Sequence, residues 1–267
     1  MATAVLASAG LAAKFRGCLI GSLIGDCLGA PFEGDFPISK SVLGNFFTNI
    51  LNGETKQMLP YTDDTAMTLS VAKSLIENKK ICPIDLAKRF VNVYFDQPTR
   101  GYGMNVLQVF ETLKETEFQD VFLPAKMQFN GSGSYGNGAA MRIAPVALFA
   151  HDKEDDFIKN AVEQCSSVTH THPNGYNGAI LQCLAVHSAL KLDSSKELDP
   201  IKFISELEEK MKKIETQSKT PYCDSLKKIR EIYLKKQEDM SSEEVAKYLG
   251  NDVSALKSVP TAIYSFL

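Results

Sequence analysis

A chain of 267 residues, 44% hydrophobic and 23% charged, has the composition of a globular protein, long enough to bury a substantial core in one large domain or two small ones. A net charge of -3 supplies no field to gather nucleic acid or an anionic membrane, so an anionic ligand has to be held by local donors. Six cysteines, at 18, 27, 82, 165, 183 and 223, include no C-x-x-C pair, which argues against a zinc ribbon or a disulfide scaffold and for reduced thiols in an intracellular protein.

The alanine-rich start, residues 1–13, has no basic residue before Lys14 and reads as a flexible tail rather than a signal sequence. Residues 15–29, FRGCLIGSLIGDCLG, place glycines at 17, 21, 25 and 29, which on a helix form one stripe without side chains. Each glycine costs a helix roughly 0.5–1 kcal/mol relative to alanine, so four in register predict the close approach of another backbone or of a ligand. Arg16 and Asp26 exclude a membrane span. Pro31 stops the helix and leaves Glu33 on a loop, and residues 34–60, punctuated by Gly34, Pro37, Gly44, Gly53 and Pro60, read as a long irregular connection of the kind used for lids.

The stretch Tyr61-Thr62-Asp63-Asp64-Thr65 opens the next helix, over 62–80, with Thr62 or Asp63 suited to its N-cap. Two readings stay open. Acidic residues in a first turn are favoured by the helix dipole alone, whereas a hydroxyl and two adjacent carboxylates also suit a hard, oxygen-ligated cation such as magnesium or calcium. Helical spacing continues after Pro83 and over 104–115. The glycine-rich run 129–138, FNGSGSYGNG, leads into AAMRIAPVALFA; bare backbone N–H groups before a helix suit a phosphate, although the same run would also serve as a surface turn. It lacks the lysine of a Walker loop. Helices over 154–168 and 176–191 flank a polar turn in which His170 and His172 are either hydrogen-bonding groups or an H-x-H ligand pair. Segments 200–215, 222–238, 241–249 and 259–267 read as helices with solvated Lys and Glu faces, and no alternating pattern occurs, so the predicted class is all-α.

The runs R-G-C-L-I-G-S-L-I-G-D-C-L-G from Arg16, Y-T-D-D-T from Tyr61, R-G-Y-G from Arg100, G-S-G-S-Y-G-N-G-A-A-M-R from Gly131 and G-Y-N-G-A-I from Gly175, in this order, are similar to the ADP-ribosylhydrolases related to dinitrogenase-reductase-activating glycohydrolase. The glycine loop most resembles the vertebrate branch acting on serine-linked ADP-ribose and poly(ADP-ribose). The resemblance, which runs from about residue 14 to the end, implies a single domain, 14–267, folded as a compact orthogonal multi-helix bundle holding two Mg2+ ions. Carried onto this sequence, it makes Glu33 the catalytic acid/base. The metal ligands are then Glu33, Thr62, Asp63 and Asp64, and the substrate-binding residues Asp63, Gly101, Phe129, Gly133, Ser134, Tyr135, Gly136, Asn137, His170, Leu226 and Ile263. Implied partners are ADP-ribose, ADP-ribosylated proteins and poly(ADP-ribose), with O-acetyl-ADP-ribose a further substrate. The implied protein is a monomer in the DNA damage response that binds neither DNA nor membrane, resident in nucleus, cytoplasm or mitochondrial matrix.

The family pattern includes a late Gly-Asp-x-Asp-Thr motif, whereas here Asp224, Asp239 and Asp252 stand apart and the chain stops inside an apolar run at Phe266-Leu267. The expectation is a C-terminally incomplete domain with half of the metal site and weak or no hydrolysis. The alternative is a non-catalytic ADP-ribose-binding protein.

Overall fold

The computed structural model describes residues 2–35, 37–54, 58–216, 218–234 and 240–267, with side chains from residue 10 onward. Thirteen α-helices follow one another among the described residues: α1 (Ala2–Gly29), α2 (Lys40–Leu51), α3 (Asp63–Asn78), α4 (Pro83–Asp96), α5 (Met104–Glu115), α6 (Leu123–Gly131), α7 (Ala144–Phe149), α8 (Asp155–Ser166), α9 (Pro173–Leu190), α10 (Pro200–Ile214), α11 (Pro221–Leu234), α12 (Ser242–Leu249) and α13 (Ala255–Phe266). The only β feature among these residues is an isolated bridge between Gly136 and Ser254, and the all-α expectation holds.

The core forms around α9. Ile180, Leu181, Cys183 and Leu184 leave no exposed surface, so most of the circumference of the helix is buried, with Gln182, Val186 and Ala189 partly exposed on the remaining face. A helix with so wide an apolar face lies inside, and α7, α8, α10, α11 and α13 all pack on it. Gly178 is needed there because a Cβ would lie 2.5 Å from the Tyr222 hydroxyl and 2.8 Å from Ala255 Cβ, so α11 and α13 could not approach. Behind it the buried Glu215 carboxylate accepts the Tyr222 and Cys223 N–H groups (3.1 and 2.9 Å), satisfying free donors at the start of α11. No helix among the described residues is long and apolar enough to cross a membrane.

Several elements differ from the sequence reading. The first helix begins at Ala2, within the stretch read as a tail. The long connection contains α2, capped by Ser39 Oγ, which accepts from Val42 N; residues 36 and 55–57 of that connection lie outside the described residues. The glycine run does not feed straight into a helix. Its first three residues close α6 and its last two, Asn137 and Gly138, open a 3-10 turn, Asn137–Ala139, before α7 starts at Ala144. The final helix starts at Ala255, earlier than 259, and residues 235–238 of the expected 222–238 helix lie outside the described residues. Finally, no atom lies within 4 Å of a Cβ built at Gly17, Gly21, Gly25 or Gly29, so the described residues bring nothing against the stripe.

Candidate active site

The acidic end of the site is built where α1 meets the start of α3. Thr62 is the N-cap, its Oγ1 accepting from Asp64 N at 3.3 Å. Further donors of this helix start are taken by Asp26, from α1. Its carboxylate accepts Thr62 N (2.9 Å), Thr62 Oγ1 (2.7 Å), Thr65 N (3.1 Å) and Thr65 Oγ1 (2.6 Å). One carboxylate thus caps a helix from another helix and fixes the direction in which Asp63 and Asp64 leave it. Arg100 secures the approach to this turn by donating to Tyr61 O (2.7 Å) and stacking on the Tyr61 ring, while Asp63 N donates to Arg100 O (2.8 Å).

Asp63 and Asp64 line a cleft of about 410 Å³ together with Glu33, which follows the short 3-10 turn Ala30–Phe32. Thr62 stands one step back: its hydroxyl is directed at Asp26, and it faces a neighbouring hollow. The ligand set expected from the sequence is therefore divided, and among the described residues no three His, Cys, Asp or Glu side chains converge closely enough to hold a metal. The electrostatics nevertheless suit a cation. Burial, then Glu33 and Asp26, push the Asp63 carboxyl up to about 6, and burial, then Asp63, Asp26 and Glu33, push Asp64 up to about 7. Mutually repelling carboxylates, opposed by the buried Arg142 charge and all offering oxygen, suit a hard divalent ion by charge and ligand type.

The glycine run forms the other wall. Gly133, at φ +75°, is buried beneath the loop, where a Cβ would lie 2.2 Å from Thr171 Oγ1. The loop is pinned by Gly133 N to Gln128 O (3.0 Å), Asn137 N to Val253 O (2.9 Å) and Ala255 N to Tyr135 O (3.0 Å). Ser134, Tyr135, Gly136 and Asn137 face the cleft, and the half-exposed rings of Phe129 and Tyr135 sit 5.8 Å apart at its mouth. Phe129 and the next residue, Asn130, both adopt left-handed backbone (φ 51° and 56°), a strained pair of the sort that clusters at functional sites. His170 presses its imidazole against the loop, Nε2 lying 3.5 Å from where a Gly136 Cβ would be. Burial and the nearby Arg142 charge push its pKa down to about 3, so the ring is neutral. His172 instead caps α9, its Nδ1 accepting Asn174 N at 3.0 Å, and His170 Nδ1 lies 2.7 Å from Thr169 Oγ1, so both rings take part in hydrogen bonds of the fold.

Of the expected residues, the structure gathers Glu33, Asp63, Asp64, Gly101, Phe129, Ser134, Tyr135, Gly136, Asn137 and His170 on one cleft. Gly101, at φ +91°, brings its backbone beside Asp63, whose Oδ1 lies 3.7 Å from a Cβ position there. Leu226 and Ile263 lie elsewhere: Leu226 is fully buried in the core, and Ile263 borders an apolar cavity between α1, α9 and α13. Sequence reasoning missed Asp26, Arg142, Thr169, Val253 and Ser254. Asp26 carried the faint signal of a charge on a glycine-striped helix; Val253 and Ser254 carried none, reaching the cleft only because their segment pairs with the glycine loop.

Residues 7–267 match the family model described as ADP-ribosylglycohydrolase. The chain is 45% identical over 267 residues to the ADP-ribosylhydrolase ARH3 of Xenopus tropicalis, covering 95% of this chain and 74% of that protein, and 40% identical over 272 residues to the protein of the same name from Homo sapiens, covering 95% and 73%. A solved structure titled ADP-ribosylglycohydrolase-related protein complex superposes with a TM-score of 0.60 at 20% identity, over 95% of this chain and 75% of that one, a likeness of fold. On the family match and these identities, the chain belongs to the ADP-ribosylglycohydrolase family and is a hydrolase of ADP-ribosyl groups by that membership.

Proposed function

We propose that this chain is a magnesium-dependent hydrolase that releases ADP-ribose from serine side chains and cleaves the O-glycosidic bonds of poly(ADP-ribose) and O-acetyl-ADP-ribose. Its setting would be the DNA damage response, as a monomer in nucleus, cytoplasm or mitochondrial matrix. The observation that carries the reading is the joining, in one cleft of about 410 Å³, of a carboxylate group at Glu33, Asp63 and Asp64 with a glycine loop and a neutral histidine. That volume is of the order expected for a small-molecule site. The loop's backbone N–H groups and Ser134 suit the diphosphate, and the Phe129 and Tyr135 rings suit adenine stacking.

Hydrolysis forms a bond between the water oxygen and the anomeric carbon and breaks the bond from that carbon to the leaving oxygen, through an oxocarbenium-like state. Glu33, exposed at the cleft rim, takes the proton from the attacking water and returns one to the leaving oxygen. Asp63 and Asp64, whose helix start is fixed by the Asp26 cap, would hold the ribose end by accepting hydrogen bonds from its hydroxyls. Magnesium held by Asp63 and Asp64, with Glu33 at the rim, would orient the ribose hydroxyls and supply Lewis acidity.

The test is ADP-ribose release from a serine-ADP-ribosylated peptide by the 267-residue chain, in magnesium and in EDTA, alongside Glu33→Ala. Metal-dependent release that Glu33→Ala reduces by about 10²-fold or more supports the proposal. Tight ADP-ribose binding with no release in either buffer would overturn it in favour of a binding protein.

A further inference from the structure

Arg142 ends the glycine stretch with a guanidinium that is 1% exposed and stacks 4.6 Å from the Phe90 ring centre. Its Nη1 donates to Gly138 O (2.9 Å), and its Nη2 donates to Cys165 O (3.3 Å) and Thr169 Oγ1 (2.7 Å). A guanidinium has no acceptor, so the Thr169 oxygen must accept from it. Thr169 is wholly buried, and its other hydroxyl partner is His170 Nδ1 at 2.7 Å.

Two tautomers of the neutral ring can be compared. With the proton on Nδ1, two donors would point at the Thr169 oxygen, and the threonine's own proton would have no acceptor among the described residues. With Nδ1 bare, the hydroxyl donates to it and the buried Thr169 proton is paired, while the ring proton moves to the cleft side, where solvent or a ligand can accept it; an unpaired buried donor costs roughly 1–3 kcal/mol, enough to decide between them. Double protonation is opposed by burial and by Arg142 itself. The proton then resides on Nε2, which has no partner among the described residues and faces the cleft beside Gly136 and Gly138, where a Cβ would stand 3.5 or 3.1 Å from it.

We propose that Arg142 and Thr169 are positioning residues that hold His170 as its Nε2–H tautomer, so that it offers the bound ADP-ribosyl group a hydrogen-bond donor and not a base. The identity of the ligand rests on the function proposed above; the tautomer does not.

The experiment uses the full chain labelled with ¹⁵N-histidine. Two-bond ¹H–¹⁵N correlation reads the His170 tautomer without ligand, and titration with ADP-ribose reads binding. The wild type is expected to show a bare Nδ1 and a protonated Nε2. Thr169→Val, which keeps the shape and removes the hydroxyl, should shift the ring toward Nδ1–H and weaken ADP-ribose binding about tenfold, and Thr169→Ser should restore both. A wild-type ring protonated on Nδ1, or an unchanged tautomer in a folded Thr169→Val, overturns the inference. If Thr169→Val does not fold, the wild-type spectrum alone decides. A correct tautomer in a protein that binds no ADP-ribose would overturn the proposed function and leave the relay standing.

Discussion

Asp26 is the residue whose removal should reveal how the acidic end of the cleft is held. Its carboxylate accepts four hydrogen bonds between 2.6 and 3.1 Å, two from backbone N–H groups at the start of α3 and two from the Thr62 and Thr65 hydroxyls. Hydrogen bonds to a charged acceptor contribute roughly 1.5–3 kcal/mol each, but water can replace part of this at a half-exposed site, and Asp26 also repels Asp63 and Asp64. A net loss of about 3 kcal/mol for Asp26→Ala is the balance of these effects, equivalent to a fall of roughly 6–12 °C in melting temperature for a domain of this size. Asp26→Asn can set its amide oxygen at the Oδ2 position, which takes three of the four donors, and turn its NH2 toward the Thr62 hydroxyl alone of the four, so it should cost about half as much or less. Thermal unfolding followed by circular dichroism measures both, and ADP-ribose release measured alongside should fall with the disordering of Asp63 and Asp64. An unchanged melting temperature for Asp26→Ala, or Asn proving as damaging as Ala, would refute the account based on acceptor count.

Two further outcomes follow from the same cleft. In EDTA, folded-state values near 6 and 7 for Asp63 and Asp64, against an ordinary 3.8, mean that the native chain binds more protons than the unfolded chain across that interval; stability should fall as pH rises from about 4 to about 7. Urea unfolding at a series of pH values should show a gentler slope for Asp64→Asn and for protein saturated with magnesium, and the same slope in all three would discount the carboxylate cluster. Gly133→Ala places a Cβ 2.2 Å from Thr171 Oγ1 at a backbone φ of +75°, so a loss of about 2–3 kcal/mol by denaturant unfolding and severely weakened ADP-ribose binding are expected. Wild-type behaviour would show that the loop yields more easily than its contacts imply.

Much of this architecture was written in local pattern. Thr62, Pro83 and the acidic pair at 63 and 64 are helix-start signals that act within one turn, and the structure uses them there. The all-helical class follows from periodicity in the same way. The α2 helix was concealed by Gly44 and by flanking Pro37 and Gly53, although Ser39, three residues before Val42, was a legible cap. What lay beyond sequence reasoning was contact over distance. Asp26 meets Thr62 across 36 residues and Arg142 meets Thr169 across 27, and nothing in either neighbourhood announces the other. Leu226 and Ile263 illustrate the converse, since apolar residues in late helices fit a pocket wall and a core equally well by pattern, and burial assigned them to the interior and to a different cavity.

The pairing of the glycine loop with the segment entering α13 bears on how quickly and how tightly a ligand is taken up. A run with glycines at 131, 133, 136 and 138 would, left free, surrender a large conformational entropy on closing around a diphosphate. Here the bonds from Asn137 N to Val253 O and from Ala255 N to Tyr135 O settle that ordering during folding, before any ligand arrives. The loop is therefore a template and not a lasso, and its readiness is tied to the docking of a helix more than a hundred residues away in sequence. Anything that loosens the seat of α13 would be felt as slower, weaker capture at the cleft, with no change in a single residue that touches the ligand.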